Sequence, residues 1–187
     1  MQIAMKLLDI IFIAVGLSMD AFAVSITLGL SVNTSKKLEY IIPGIYFGFF
    51  QALMPLIGYF TGALFSNKAG QFAHWIAFVL LGFIGSKMII ESFSRKKETI
   101  YNNPFNAVKM LVLAIATSID ALMVGVTFAF FDINIINAIA IIGLITFIIS
   151  VCGVKIGQLF GMRFKSYAEF IGGAVLLLLG MKILVDR

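Results

Sequence analysis

Six long apolar stretches, separated by short polar segments, constrain the fold of this chain more than any other feature of its sequence. We assign them to residues 8–30, 41–65, 72–93, 107–131, 136–160 and 166–185. About 20 apolar residues suffice for a helix to cross a bilayer, and a single segment satisfies its backbone hydrogen bonds in lipid only as a helix. Because 61% of the residues are hydrophobic and only 12% are charged, the chain has too little polar surface for a soluble enzyme. We predict an all-α polytopic membrane protein with six transmembrane helices, forming a single membrane domain over residues 1–187.

The positive charges of the loops predict how the chain is oriented. Lysine and arginine are enriched in the first, third and fifth loops, which contain Lys36, Lys37, Arg95, Lys96, Lys97, Arg163 and Lys165. The opposite side carries Lys6, Lys68 and Arg187. Because cytoplasmic loops are rich in Lys and Arg, we expect the odd-numbered loops in the cytoplasm and both termini outside. The same pattern accounts for the net charge of +5 without a nucleic-acid partner.

The sequence contains an internal repeat of three apolar stretches. AVGLSMDAFAVSITLGL (14–30) aligns with AIATSIDALMVGVTFAF (114–130) at an offset of 100 residues. GYFTGALF (58–65) aligns with GVKIGQLF (153–160), and GSKMIIE (85–91) aligns with GMKILVD (180–186), both at an offset of 95. We call residues related by these offsets matched residues.

The number of stretches in each repeat determines how the two repeats are related. We assign 8–93 to a first three-helix repeat, 94–106 to a cytoplasmic linker and 107–187 to a second three-helix repeat. Because three is odd, the second repeat must cross the membrane in the opposite sense to the first. Inverted repeats of this kind are typical of secondary transporters, whose substrate site lies near the midplane between the halves.

Two aspartates, Asp20 and Asp120, lie near the middle of the first and fourth apolar stretches and are matched residues. A carboxylate at the bilayer centre costs about 2.5–3.5 kcal/mol even on the mildest scale, so such residues are candidates for a functional site. Two carboxylates in one dry site repel each other unless a cation or protons compensate them. The pair therefore indicates a cation pathway or a proton relay, with a structural, hydrogen-bonded role as the alternative.

Oxygen-bearing residues near the two aspartates complete a candidate metal site. Its members are Asp20, Asp120, Ser18, Ser118, Thr117 and Gln51. On a regular helix Ser18 and Ser118 point away from the aspartates, so they join the site only if the helices loosen there. Pro55 removes one helical hydrogen bond and frees a carbonyl nearby. Oxygen ligands suit Mg²⁺, Ca²⁺ or Mn²⁺, and the lone Cys152 and lone His74 exclude the sites of softer metals.

Five further residues are candidates for a transport path rather than for the metal site itself. They are Glu91, Lys87, Lys155, Thr27 and Thr127. We expect Lys87, Lys155 and Lys182 to extend their ammonium groups to the membrane interface. An ion pair between Lys87 and Glu91, one helical turn apart, is an equal possibility for those two.

Around these residues the sequence resembles the MntP family of manganese efflux pumps, within the LysE transporter superfamily. The resemblance rests on GLSMDAFAVSI (16–26), ATSIDALMVGV (116–126), FGFFQALMPLIGYFTG (47–62) and GFIGSKMIIESF (82–93). It covers nearly the whole chain. It implies export of Mn²⁺ across the bacterial cytoplasmic membrane, with Asp20 and Asp120 central to the site.

Taken together, these observations predict a multi-pass transporter that is not an enzyme. Its partners would be the lipid bilayer, Mn²⁺ as transported substrate with no permanently bound cofactor, and protons as a possible counter-ion. Three alternatives stay open: an exporter of another divalent metal or of a cationic amino acid, a member of a related sporulation-associated group, and a membrane scaffold. An intramembrane aspartyl protease is disfavoured because its G-x-G-D motif is missing, since Thr-Ser-Ile precedes Asp120.

Overall fold

The computed structural model describes residues 7–30, 37–64, 73–93, 105–131, 133–160 and 163–185. Six α-helices make up most of these ranges, and no strand occurs within them. They are α1 (Leu7–Leu30), α2 (Lys37–Ala63), α3 (Ala73–Phe93), α4 (Ala107–Phe128), α5 (Ile135–Phe160) and α6 (Arg163–Val185). For the described ranges, the prediction of an all-α fold with six helices is confirmed, and the predicted spans begin and end within 4 residues of these bounds. Most of the predicted linker, residues 94–104, lies outside the described ranges.

Four of the six helices are long and apolar enough to cross a membrane. These are α1, α2, α4 and α5. In α3 and α6, the apolar segments found among the described residues are Phe78–Lys87 and Gly173–Val185. Large apolar side chains are exposed along the helices, among them Phe49, Phe83 and Leu144, as expected for surfaces that face lipid. That α3 and α6 also cross the membrane stays a prediction.

Asparagine caps mark where two of the helices begin, and a third helix contains two prolines. Asn106 caps α4, because its side chain accepts a hydrogen bond from the backbone N–H of Val108 over 3.0 Å. Asn134 does the same for α5, accepting from the N–H of Asn137 over 3.2 Å. Pro43 and Pro55 both lie inside α2, and the helix continues through each of them.

Helices from the two halves of the chain pack mainly on each other. α1 packs chiefly against α5, α2 packs against both α4 and α5, and α3 packs against α6. Within one half, α1 contacts α2 only briefly, and α5 contacts α6 only briefly. The hydrophobic core of the described residues is therefore shared between helices of the two halves.

Glycines permit the close approach of these helices, in two matched sets of contacts. Gly58 and Gly62 of α2 pack against the carbonyl oxygens of Leu122 and Val126 on α4. In the same way Gly153 and Gly157 of α5 pack against the carbonyl oxygens of α1, those of Phe22 and Ile26. A Cβ atom at Gly62 would lie 2.8 Å from the Val126 oxygen, and one at Gly153 would lie 3.0 Å from the Phe22 oxygen. Every residue in the second set is matched with its counterpart in the first.

A further matched pair, Gly48 and Gly143, lies where α2 crosses α5. A Cβ atom on Gly48 would approach the carbonyl oxygen of Gly143 to 2.9 Å, and the reverse distance is 3.0 Å. Each glycine thus packs on its own counterpart in the other half. The two G-x-x-x-G segments and this crossing use small residues to pack helices within one chain, which is the use that small residues have at membrane helix interfaces.

Candidate functional site

Asp20 and Asp120 lie about halfway along α1 and α4, the helices that the sequence predicts for them. Asp120 is buried, with 7% of its surface exposed, whereas Asp20 is half-buried. Their neighbours Leu17 and Ala121 belong to one buried hydrophobic cluster, and α1 and α4 contact each other. Both carboxyl groups are therefore carried by the parts of the helices that enter the common core.

The hydroxyl groups near the aspartates donate hydrogen bonds to their own helices. The Oγ of Ser18 donates to the carbonyl of Val15 over 2.8 Å, and the Oγ of Ser118 donates to that of Ala114 over 2.7 Å. Thr117 donates to the Leu113 carbonyl over 3.0 Å. These bonds use the hydroxyl protons and leave oxygen lone pairs available to a cation.

The helices do not loosen beside the aspartates. α1 and α4 are uninterrupted through residues 18–20 and 118–120. Ser18 and Ser118 are fully buried and lie two residues before the aspartates, which is about 200° around a regular helix. Thr117, three residues before Asp120, shares its face. In this arrangement Thr117 is therefore better placed beside Asp120 than either serine.

Gln51 connects α2 to α1 beside Asp20. Its side-chain nitrogen donates to the carbonyl oxygen of Leu17 over 3.1 Å, and Leu17 lies one helical turn before Asp20. The Oε1 atom of Gln51 is buried and has no hydrogen-bond partner among the described residues. An orphaned, buried amide oxygen of this kind is costly to leave unsatisfied, and a cation or a water molecule would satisfy it.

Pro55 brings α2 close to α4. Because proline lacks an N–H, the backbone carbonyl of Gln51, four residues earlier, has no helical donor at that position. Pro55 packs against Gly125 of α4, where a Cβ atom would lie 2.5 Å from the Pro55 Cα atom. The expected free carbonyl thus belongs to the residue whose side chain contacts α1.

Lys87 reaches the second aspartate from α3. Its Nζ atom lies 3.6 Å from Oδ1 of Asp120. The lysine side chain is 41% exposed and the aspartate side chain 10%. We expected the ammonium group to extend to the membrane interface or to pair with Glu91, but it lies against a carboxylate in the middle of α4. The contact between α3 and α4 is the reason, because it brings this lysine within reach of Asp120.

The other path candidates are less closely connected to the aspartates. Thr127 is buried and Thr27 half-buried, and each donates a hydrogen bond to its own helix, to the carbonyls of Met123 and Ala23 respectively. Lys155 is exposed. It lies two residues from both Gly153 and Gly157 and therefore on the opposite face of α5 from α1. The side chain of Glu91 lies outside the described part of the chain.

Three buried hydroxyl groups were not predicted from the sequence. Ser25, Thr146 and Ser150 are fully buried, and their hydroxyl oxygens have no hydrogen-bond partner among the described residues. Thr146 is matched with Gln51 and Ser150 with Pro55, so the repeat contained a signal for two of them. Within the described ranges, no three His, Cys, Asp or Glu side chains are grouped as a metal site.

Helices of both halves carry oxygen donors of the kinds that bind cations. Carboxylates come from α1 and α4, hydroxyl oxygens from α4, and an amide oxygen from α2. Oxygen donors of this kind suit hard divalent cations. The positive charge of Lys87 occupies part of the same region, so a cation that binds to Asp120 has to compete with it.

Comparisons with known proteins agree on one family. The family model described as "Putative manganese efflux pump" matches residues 33–184. A protein of Acetivibrio thermocellus named "Putative manganese efflux pump MntP" is 50% identical over 183 residues, covering 98% of this chain and 92% of the relative. Proteins with the same name from Desulfitobacterium hafniense and Campylobacter jejuni are 50% identical (96% of this chain, 95% of the relative) and 51% identical (98% of each). No solved structure matches the chain.

Proposed function

This chain belongs to the MntP family, and on that basis we propose that it exports Mn²⁺ from the cell across the cytoplasmic membrane. The relatives carry the name of a manganese efflux pump and align with the chain over almost its full length. The membrane location is supported by four helices that are long and apolar enough to cross a bilayer. Mn²⁺ is the substrate in this proposal and not a resident cofactor.

The observation that carries the proposal is a pair of aspartates in the middle of two apolar helices, with neutral oxygens beside them. Mn²⁺ would bind to Asp20 and Asp120, with further oxygens from Thr117 and from the side chain of Gln51. Ser18 and Ser118 would contribute only where the helices loosen during transport. The unsatisfied Oε1 atom of Gln51 supports its part in the site, because a bound cation would provide the partner that this atom lacks.

Alternating access by two inverted repeats is the mechanism we propose. Its support lies in the matched contacts, in which Gly62 approaches Val126 as Gly157 approaches Ile26, and Gly48 approaches Gly143. Contacts repeated in this way are expected of two halves related by a twofold axis. A cation site at their interface would open to one side or the other as the halves move.

The orientation and the energy coupling belong to the same proposal. With both termini outside, cations would enter from the side of the first, third and fifth loops and leave on the other side. Protons would drive the exchange if they occupied the same carboxylates in return, because metal and protons compete for such ligands.

Transport by the purified chain in lipid vesicles tests the proposal. Vesicles containing a Mn²⁺-sensitive dye and a pH-sensitive dye would be exposed to Mn²⁺ alone and with Mg²⁺, Fe²⁺ or lysine in excess. We expect Mn²⁺ to enter the vesicles that contain the protein, with little inhibition by lysine. Vesicles that accumulate lysine but no Mn²⁺ would contradict the proposed substrate, and Mn²⁺ movement without a change of pH would contradict the proton coupling.

A further inference from the structure

Two matched lysines form different ion pairs in this structure. Lys87 of α3 lies 3.6 Å from Asp120, whereas Lys182 of α6 forms its ion pair with Asp9 of α1. The residue matched with Asp120 is Asp20, and Asp9 precedes Asp20 by 11 residues, which is about 16 Å along a helix. Lys87 therefore lies at a midplane aspartate, while its counterpart lies near the end of α1.

The packing of the helices differs in the same place. α1 packs along α6 extensively, whereas α4 and α3, the matched helices, make only a limited contact. By contrast, the contact of α1 with α5 and the matched contact of α4 with α2 are both extensive. The two halves therefore differ most in two matched contacts, the one between α3 and α4 and the one between α6 and α1.

An exchange of these two helix packings would give a second state of the same chain, in which Lys87 gains no equivalent of Asp9 because the residue matched with Asp9 is Lys109. In that state α3 would pack along α4, and α6 would make the limited contact with α1. Lys182 would then stand beside Asp20, as Lys87 now stands beside Asp120. Because the two halves are inverted in the proposed topology, the limited contact, then between α1 and α6, would lie toward the opposite side of the membrane.

We propose that Lys87 and Lys182 are alternating counter-cations of the transport cycle, an inference that rests on the proposed transport of Mn²⁺. In the present arrangement Lys87 compensates Asp120, and Lys182 is held away from the site by Asp9. In the second state Lys182 compensates Asp20, and Lys87 leaves Asp120. Each lysine acts on the metal through the aspartate that it contacts and is therefore a positioning residue.

The chemistry of a membrane site explains why such lysines are useful. Two midplane carboxylates without a cation repel each other and are poorly solvated, so the protein needs another positive charge when the metal has left. A lysine on a neighbouring helix provides one, because its ammonium is a compact charge on a flexible stem. The same charge competes with the metal for the aspartate, and this competition favours release of Mn²⁺ on the outer side of the membrane.

Substitution of Lys87 tests the competition directly. We compare the full chain carrying Lys87→Met, which removes the charge, with Lys87→Arg, which keeps it. Mn²⁺ binding in detergent is measured from the free-ion EPR signal, and transport is measured in vesicles. We expect Lys87→Met to bind Mn²⁺ about tenfold more tightly and to transport it about tenfold more slowly. Lys87→Arg should stay close to the parent chain in both measurements. Lys87→Met with parental binding and parental transport would overturn the proposal, and so would weaker binding.

Cross-linking tests the alternation. Phe12 and Leu178 border the same cleft between α1 and α6 as Asp9 and Lys182, and their matched residues are Val112 and Phe83. In a Cys152→Ser background, one chain carries Phe12→Cys with Leu178→Cys, and the other carries Val112→Cys with Phe83→Cys. The yield of cross-linking by a short bifunctional thiol reagent measures how close α1 lies to α6 in the first chain and how close α4 lies to α3 in the second.

Three results decide between the possibilities. We expect efficient cross-linking of the first pair without metal, and we expect Lys87→Met to lower its yield and raise that of the second pair. Yields of both pairs that are unaffected by Lys87→Met, in a parent chain that transports Mn²⁺, would overturn the alternation and leave the proposed function intact. A parent chain that neither binds nor transports Mn²⁺ would instead refute the proposed function, and this inference with it.

Discussion

The side-chain nitrogen of Gln51 donates a hydrogen bond to the carbonyl oxygen of Leu17 over 3.1 Å, and this bond connects α2 to α1 one turn from Asp20. The two helices make few other contacts. The Oε1 atom of Gln51 is buried and lacks a partner within the described part of the chain. Gln51 is therefore held in place by its nitrogen and offers its oxygen to the interior.

Replacing Gln51 should weaken the binding of Mn²⁺. Gln51→Leu keeps the approximate volume but removes the oxygen, and we expect a loss of about tenfold in affinity, as for one lost polar ligand. Binding is measured with purified protein from the free-ion EPR signal. Gln158→Leu is the control, because it makes the same change of residue type at another site. Gln158 accepts a hydrogen bond from Tyr40 and lies far along α5 from Thr146, the residue matched with Gln51. Equal losses in both variants would contradict a specific role of Gln51.

A side chain larger than that of glycine at Gly62 should destabilise the protein. In Gly62→Ala the added Cβ would lie 2.8 Å from the carbonyl oxygen of Val126, so α2 and α4 would have to move apart. We expect the free energy of unfolding to fall by about 1–3 kcal/mol, measured by denaturant titration in mixed micelles.

Gly82→Ala provides the control for this prediction. Apart from the adjoining backbone of its own helix, a Cβ atom at Gly82 would meet no described atom within 4 Å. Alanine favours a helix over glycine by about 1 kcal/mol. We expect this variant to be as stable as the parent chain or slightly more stable. If Gly62→Ala and Gly82→Ala lowered the free energy of unfolding equally, the close contact of α2 with α4 would not explain the effect at Gly62.

Thr146→Val should raise the stability of the protein. The hydroxyl oxygen of Thr146 is fully buried and has no hydrogen-bond partner among the described residues, while valine has nearly the same shape. Removing an unsatisfied buried hydroxyl should increase the free energy of unfolding by about 1 kcal/mol. Thr61→Val, at an exposed position of α2, controls for the change of residue type. A fall in stability at position 146 alone would show that this hydroxyl has a partner.

The helices could be predicted from the sequence because a membrane helix needs a long apolar run. The two aspartates and Gln51 were also recognisable, since a polar group inside such a run requires an explanation. Lys87 was different. The sequence left open whether its ammonium extends to the interface or meets Glu91, and the observed partner Asp120 is on another helix.

The reason is that apolar runs in membrane helices carry little information about which face is buried. Lipid-facing and core-facing positions are both apolar, so no hydrophobic stripe marks the contact of α3 with α4 or of α1 with α6. For the same reason the burial of Thr146 and Ser150 was not predicted. The repeat gave the better indication, since Thr146 is matched with Gln51.

The manganese content of cells tests the central claim most directly. Cells lacking their own manganese exporters would express the parent chain, Asp20→Asn, Asp120→Asn or, as a control at an exposed position of α5, Lys155→Gln. All are grown under manganese stress, and membrane levels of each chain are matched. We predict that the parent chain and Lys155→Gln lower cell manganese several-fold, whereas either asparagine variant leaves it at the level of cells without the protein. An Asp20→Asn or Asp120→Asn chain that lowers cell manganese as well as the parent does would contradict the account.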